Sequence, residues 1–295
     1  MGDNLHRLLI KIVTIEFMKK LIIPILLLAV TVSSAQKMTC CTASASASGM
    51  RAMADDPDFV ATHEAPIPFN YSDQAGKMIT FSTPDGKMGS AYEVLSSAPT
   101  NNFLIITHEW WGLNDYIKQR ADELQKTLGN INIIAVDMYD GKVASTPDSA
   151  GKYMKAATND RIMSILNGAI AFAGPNARIF SLGWCFGGGY AMQTAILAGK
   201  QGAGCVMYYG MPETDITKLK SLNCDVLGLF GNQDKWINPD MVKTFQSNME
   251  KAGKKLTVKE YNADHAFANP SNAHFDKASA EDANKMAIEY IKKRL

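Results

Sequence analysis

The sequence predicts an α/β fold: a mostly parallel central sheet with helices on both faces and a hairpin at its amino end. Three observations lead there. Runs of consecutive apolar residues, such as Phe103-Leu104-Ile105-Ile106-Thr107, have the signature of strands buried on both faces. Segments of helical periodicity separate these runs, and that alternation implies parallel pairing through crossover helices. With 46% hydrophobic and 20% charged residues over 295 positions, the chain can bury a large core, which excludes collagen-like, low-complexity and largely disordered classes. The formal net charge of +1 provides no electrostatic footprint for nucleic acid, so no such partner is expected. Five cysteines are too few for a disulfide scaffold of this size.

The amino end reads as an address. Lys19-Lys20 precede the apolar run Leu21 to Val32, which ends in Ser33-Ser34-Ala35. A basic region, a short apolar run and small residues at the −3 and −1 positions describe a secretory signal over residues 1–35, cleaved after Ala35. Met18 can serve as the true start. The run falls short of the roughly 20 residues that a comfortable membrane span needs, which counts against an uncleaved anchor. Export to the periplasm or beyond, with no stable membrane span afterwards, is the expectation. No Leu-x-x-Cys pattern stands before Cys40 or Cys41, so little supports lipidation. Residues 36–75, with an Ala/Ser alternation followed by Asp55-Asp56-Pro57, Pro66 and Pro68, read as a linker or loosely packed arm.

From residue 76 to 295 the chain reads as one domain, expected to be monomeric. Lys77 to Ser82 and Gly89 to Leu95 alternate across Thr83-Pro84-Asp85-Gly86, as hairpin strands do. Phe103 to Thr107 and Ile131 to Val136 are strands, with a helix over Asn114 to Leu128 between them and Gly129 just past its end. Asp148 to Phe172 is helix-rich. Further strands follow at Ala177 to Leu182, Cys205 to Tyr209, Asp225 to Phe230 and Leu256 to Tyr261. Helices follow at Gly187 to Leu197, Pro239 to Lys251 and Ala278 to Ile291.

Ligands of such a sheet sit beyond the carboxyl ends of the strands, so reactive side chains there matter most. Cys185, in Gly183-Trp184-Cys185-Phe186-Gly187-Gly188-Gly189, follows one strand directly and opens a helix. Gly-x-Cys-x-Gly at such a turn is the nucleophile elbow with cysteine in place of serine. The glycines have a reason: side chains two residues either side of the nucleophile would collide with neighbouring backbone. The helix amino terminus, aimed at the sulfur, is expected to favour a thiolate. A small buried cysteine in a Gly-rich turn is the bland alternative. A phosphate loop needs Gly-Lys-Ser/Thr, which the sequence lacks.

His265 follows the strand ending at Tyr261, where this architecture places its general base. His6 lies in or before the signal, His63 in the arm, and His274 in a loop with no strand before it, while His108 could line the site. Asp234 follows the strand ending at Phe230 and can orient the imidazole, although a solvated turn aspartate would look the same. The joint order Cys185, Asp234, His265, each directly after its own strand, is that of the α/β-hydrolases. The loop His108-Glu109-Trp110-Trp111-Gly112 would then supply one oxyanion-hole amide, Trp110 N–H, and Phe186 N–H the other. Glu109 would project into the same pocket.

His-Glu-Trp-Trp-Gly-Leu-Asn at 108–114, Gly-Trp-Cys-Phe-Gly-Gly-Gly at 183–189, Gly-Asn-Gln-Asp at 231–234 and Ala-Asp-His-Ala-Phe at 263–267 together resemble the dienelactone hydrolase family, over roughly residues 77–295. The resemblance implies a single α/β-hydrolase domain with no metal or organic cofactor. It implies hydrolysis of a small ester or lactone, carboxymethylenebutenolidase-type chemistry, through a thioester on Cys185. It also implies that Glu109 holds the cysteine quiescent or takes up its proton, and that Tyr153 lines the site. One departure bears on substrate. The family's arginine four residues after the catalytic histidine grips a carboxylate, and Asn269 stands there instead; a second arginine, expected near Ser149, is not evident. Without a guanidinium, a neutral ester or lactone is the expected substrate. Trp110, Trp111 and Trp184 are expected to line an apolar pocket. Two other classes stay open: a non-catalytic small-molecule-binding protein on a hydrolase scaffold, and a thiol-redox protein, for which the resolving Cys-x-x-Cys is missing.

Overall fold

The apolar runs become the middle of one eight-stranded sheet. The computed structural model describes residues 45–295; the expected signal, Met18, Cys40 and Cys41 lie outside the described residues. The strands are β1 (Lys77–Ser82), β2 (Met88–Val94), β3 (Asn102–Thr107), β4 (Asn132–Val136), β5 (Arg178–Trp184), β6 (Gly202–Tyr208), β7 (Val226–Gly231) and β8 (Leu256–Tyr261). Their spatial order is β1-β2-β4-β3-β5-β6-β7-β8. β1 and β2 run antiparallel to each other and β2 antiparallel to β4, and every other pairing is parallel. All five residues of β4 and all six of β7 are buried, as two-sided cover requires, whereas edge strand β8 keeps three exposed positions.

The principal helices carry sequence-encoded caps. They are α3 (Asp115–Leu128), α4 (Pro147–Ala156), α5 (Asn159–Ala173), α6 (Phe186–Ala198), α8 (Pro239–Lys251) and α9 (Lys277–Lys292), with the short α7 (Ile216–Lys220) before β7. Asn114, Thr158, Asn238 and Asp276 each accept a backbone N–H of the first turn, and Thr146 with Ser149 closes a reciprocal capping box on α4. The helix-rich stretch from Asp148 thus divides at Ala157-Thr158, because Thr158 caps a new helix.

The stretch expected to be a linker or loose arm is in part folded. Residues 45–63 hold α1 (Ala45–Ala52), a 3₁₀ turn over Met53–Asp55 and α2 (Pro57–Ala61), which Asp56 caps. Met50, Ala54, Phe59 and His63 are all buried. Arg51 donates to the Ala157 carbonyl and Lys155 pairs with Asp55, fastening the segment to the end of α4. Residues 64–75 have no regular structure and are mostly exposed.

Along the chain the sheet grows from β3 to β4 on one side and then returns past β3 to β5 on the other. The loops leaving β3 and β5 therefore diverge, and a crevice opens between them at the carboxyl ends. That is where the chemistry-bearing residues gather.

Candidate active site

Steric demand shapes the turn after β5. A Cβ added at Gly183 would strike the Thr107 hydroxyl and the Gly187 carbonyl, and one at Gly187 would strike the carbonyls of Thr107 and His108. Those contacts let β3, β5 and α6 meet with almost no space between them. Cys185 sits at the apex with φ 51° and ψ −120°, a left-handed conformation that a side-chain-bearing residue holds only under strain. Its N–H donates to the Tyr208 carbonyl at 3.0 Å, and its own carbonyl accepts from Gly188 N–H at 2.9 Å. The turn is pinned on both sides.

Three residues far apart in the chain meet at this apex. His265 Nε2 lies 3.3 Å from Cys185 Sγ, and His265 Nδ1 lies 2.6 Å from Asp234 Oδ2. Asp234 Oδ1 accepts the N–H groups of Trp236 and Ile237 at 2.8 and 2.9 Å, so the carboxylate is fixed before it meets the ring. Burial opposes ionisation of Asp234, but the His265 charge, its hydrogen bond and the two amides outweigh it and hold the carboxyl below its usual range. Burial likewise opposes charge on His265, yet Asp234 and Cys185 raise it well above the ordinary imidazole value. For Cys185 the balance differs from the expected thiolate: burial pushes the thiol up, and neither His265 nor the Phe186 N–H at the helix amino terminus fully offsets it. A lone thiolate is costly here and cheaper beside an imidazolium, so sulfur and ring exchange protons as one unit.

The dienelactone hydrolase family model matches residues 90–295, about 70% of the chain. The chain belongs to the dienelactone hydrolase family. "Protein usf" of Aquifex pyrophilus is 27% identical over 206 residues, which is 65% of this chain and 88% of that one. A candidate carboxymethylenebutenolidase of Aquifex aeolicus is 25% identical over 202 residues, covering 64% and 87%. Among solved structures, a candidate dienelactone hydrolase of Klebsiella pneumoniae overlays 72% of this chain and 98% of its own, with a TM-score of 0.61 at 21% identity. The sheet and its flanking helices are thus an α/β-hydrolase fold, and as a family member the protein is a carboxylic ester hydrolase.

In this dienelactone hydrolase relative, Glu109 is the most unusual group beside Cys185, His265 and Asp234. It is 8% exposed, and burial lifts its carboxyl to about 7, against the opposing effects of the His265 charge and the Tyr209 hydrogen bond. Tyr209 OH donates to Glu109 Oε1 at 3.3 Å, and Asn269 Nδ2 donates to Oε2. Asn269 is held in turn, because its Oδ1 accepts both the N–H and the hydroxyl of Ser271 at 2.9 and 2.8 Å. The residue standing where the resemblance places a guanidinium is therefore engaged with Glu109.

A cavity of about 270 Å³ adjoins this pair, with Glu109, Trp111, Trp184 and Asn269 on its inner side. Its outer wall includes Arg120 and Lys277, which lie 3.2 and 3.8 Å from Glu123 and Glu281 of their own helices. Trp111 and Trp184 line it as expected from sequence, but Trp110 does not. Trp110 turns inward, its ring 5.6 Å from Phe59 and 4.5 Å from His63, so the folded arm takes the face a pocket would have used. Tyr153 is not among the cavity-lining residues; it lies beside Tyr139 and under the Lys142 ammonium. His108 serves as a strut: its Nδ1 donates to the Glu109 carbonyl and its Nε2 accepts Met138 N–H at 3.0 Å, bracing the loop that presents Glu109.

Two neighbours escaped the sequence reading. Tyr209 stands directly after β6 with φ 36°, and its ring lies 5.2 Å from His265. A tyrosine at a strand's carboxyl end was the available signal. His63, set aside with the arm, is buried with its ring 5.5 Å from that of His265. Nothing in its local sequence marked it.

Proposed function

We propose that this protein hydrolyses a small ester or lactone by acyl transfer to Cys185. The observation that carries the reading is the continuous line from Asp234 through His265 to the sulfur, at 2.6 and 3.3 Å. The cavity beside Trp111 and Trp184 is lined by Glu109 and Asn269 but not by Cys185 or His265, so a substrate entering there has to displace the Glu109–Asn269 pair to bring its carbonyl to the buried sulfur. The thiol proton passes to His265 or to Glu109, whose raised carboxyl is suited to accept or return a proton near neutrality. The sulfur then bonds to the carbonyl carbon, and the oxyanion rests on the N–H groups of Trp110 and Phe186. The C–O bond breaks as whichever of His265 and Glu109 took the thiol proton returns it to the leaving oxygen, which yields a thioester. Water, deprotonated by His265, adds to that thioester and releases the acid and the thiol. No cofactor enters this sequence. Asn269 in place of a guanidinium supports a neutral acyl group.

The amino-terminal pattern supports export, with the mature chain beginning after Ala35. The test of the chemistry is Cys185→Ala assayed on p-nitrophenyl acetate and on a panel of neutral and anionic lactones. Turnover is expected to vanish while the thermal transition stays near that of the parent. Acid-quenched parent enzyme should show an acyl adduct on the Cys185 peptide by mass spectrometry. Residual turnover by the variant would remove Cys185 from its role. Binding of the panel without turnover by the parent would favour the non-catalytic reading.

A further inference from the structure

One buried group has no place in that reaction. His63 is 3% exposed, its Nδ1 lies 2.7 Å from the Phe59 carbonyl, and its Nε2 has no hydrogen-bond partner. A carbonyl can only accept, so the ring proton is on Nδ1 and Nε2 presents a bare lone pair. The ring that carries it is part of a cluster. His63, Cys185 and His265 each offer one ligand atom, and all three atoms lie within 4.8 Å of one another. His63 also precedes the family-matched residues 90–295, so the α/β-hydrolase framework does not itself require it.

We propose that His63, Cys185 and His265 form a site for a thiophilic divalent cation of the Zn²⁺ class, and that its occupancy silences the enzyme. One sulfur and two imidazole nitrogens suit zinc and its borderline-soft neighbours and not Mg²⁺ or Ca²⁺. Both imidazoles are backed as metal-binding histidines usually are: His63 Nδ1 by the Phe59 carbonyl, and His265 Nδ1 by Asp234 at 2.6 Å. Tetrahedral bonds of about 2.0–2.1 Å to nitrogen and 2.3 Å to sulfur leave ligand atoms roughly 3.5 Å apart. The sulfur and His265 Nε2, at 3.3 Å, already meet that spacing. The three ligand atoms lie within 4.8 Å of one another, so His63 has to close by about 1 Å, moving with the Phe59 and Trp110 rings it packs against at 4.2 and 4.5 Å. Cys185 binds as thiolate and the imidazoles as neutral rings, so protons pass to solvent on uptake. The fourth position is left to water.

Metal binding at the three residues stands apart from the proposed chemistry, whereas silencing rests on Cys185 being the nucleophile. The experiment reads both. The full chain, reduced, is titrated with Co²⁺ alone and followed by absorption, then challenged with Zn²⁺ and with a chelator. The expected result is a thiolate-to-cobalt charge-transfer band with the visible bands of tetrahedral Co²⁺, saturating at one equivalent. Zn²⁺ should bleach these bands, and turnover should fall with occupancy and return on chelation. His63→Ala and His63→Gln should keep basal turnover yet weaken Co²⁺ binding and Zn²⁺ inhibition by at least the roughly 10–100-fold that losing even an outer partner costs. Cys224→Ala, at a partly exposed thiol elsewhere, should change neither. An unaltered Co²⁺ affinity in both folded His63 variants, or a spectrum without the charge-transfer band, would overturn the proposal. A normal cobalt spectrum with no loss of turnover would instead reject the role given to Cys185 and leave the metal site standing.

Discussion

Glu109→Gln tests the electrostatics of the site most directly. In the folded protein Glu109 keeps its proton up to about pH 7, because burial penalises the carboxylate. In the unfolded chain it ionises near 4.5. A folded value raised above the unfolded one contributes stability that is fully present below about pH 4.5 and is lost as pH rises through 7. At 1.36 kcal/mol per unit, the gap amounts to ~3 kcal/mol over that window. Glutamine is isosteric and never ionises, so this slope disappears in the variant. The amide accepts from only one of Tyr209 OH and Asn269 Nδ2, a fixed cost of roughly 1 kcal/mol that does not vary with pH. The informative quantity is therefore the stability difference between parent and variant, from urea unfolding at several pH values between 4.5 and 8.5. It should move in favour of Gln by ~3 kcal/mol across the range, leaving the variant the more stable protein above pH 8. The pH profile of kcat/KM provides a second reading, since an acid limb near 7 in the parent should be displaced or absent in the variant. A stability difference that stays constant from pH 5 to 8 would refute the claim that Glu109 is held neutral by burial.

Two further outcomes follow from packing. Gly187→Ala should destabilise the protein by at least ~3 kcal/mol in urea unfolding, because its Cβ would meet two backbone carbonyls that cannot yield, whereas Gly86→Ala, with φ +78° and open space around it, should cost only about 1–2 kcal/mol; equal losses would show that the close approach at the elbow is not the cause. Phe59→Ala removes a fully buried ring that meets Trp110, Trp236 and His265 at 5.6, 5.2 and 5.8 Å. Local opening of the amino-terminal segment should become easier by roughly 3–5 kcal/mol, so iodoacetamide should label Cys185 at least about a hundredfold faster; an unchanged labelling rate would mean that this segment does not cover the sulfur.

The strands that build the crevice were legible because burial on both faces leaves an unbroken apolar run. β3, β4, β5 and β7 lie within about two residues of their expected bounds. β6 begins at Gly202, three residues before the expected Cys205, since Gly202-Ala203-Gly204 have too little side chain to show a pattern. The residues now joined as Cys185, His265 and Asp234 were legible for a related reason. In a parallel sheet the end of every strand points to the same edge, so chain order stands in for spatial proximity. Charge state was harder to foresee. A helix amino terminus favours a thiolate, but how completely the sulfur is enclosed depends on side chains from four loops and on residues that precede the sheet.

Those preceding residues mark where sequence reasoning stops. α1 and α2 span eight and five residues, too few for helical periodicity to register and too short to be stable alone. They form because Met50 and Phe59 find a surface already made by α4, α6 and the Trp110 loop. Periodicity predicts an element that buries its own repeating face, whereas a segment held by one or two large side chains leaves no repeat to detect. The grouping that matters most, His63 with Cys185 and His265, brings together residues 122 and 202 positions apart and runs through such a segment. It could not be ordered by strand position, as Cys185, Asp234 and His265 were, because no strand delivers it. A search for such residues has to begin from the buried atom without a partner, here His63 Nε2, and ask which of its neighbours could use a lone pair.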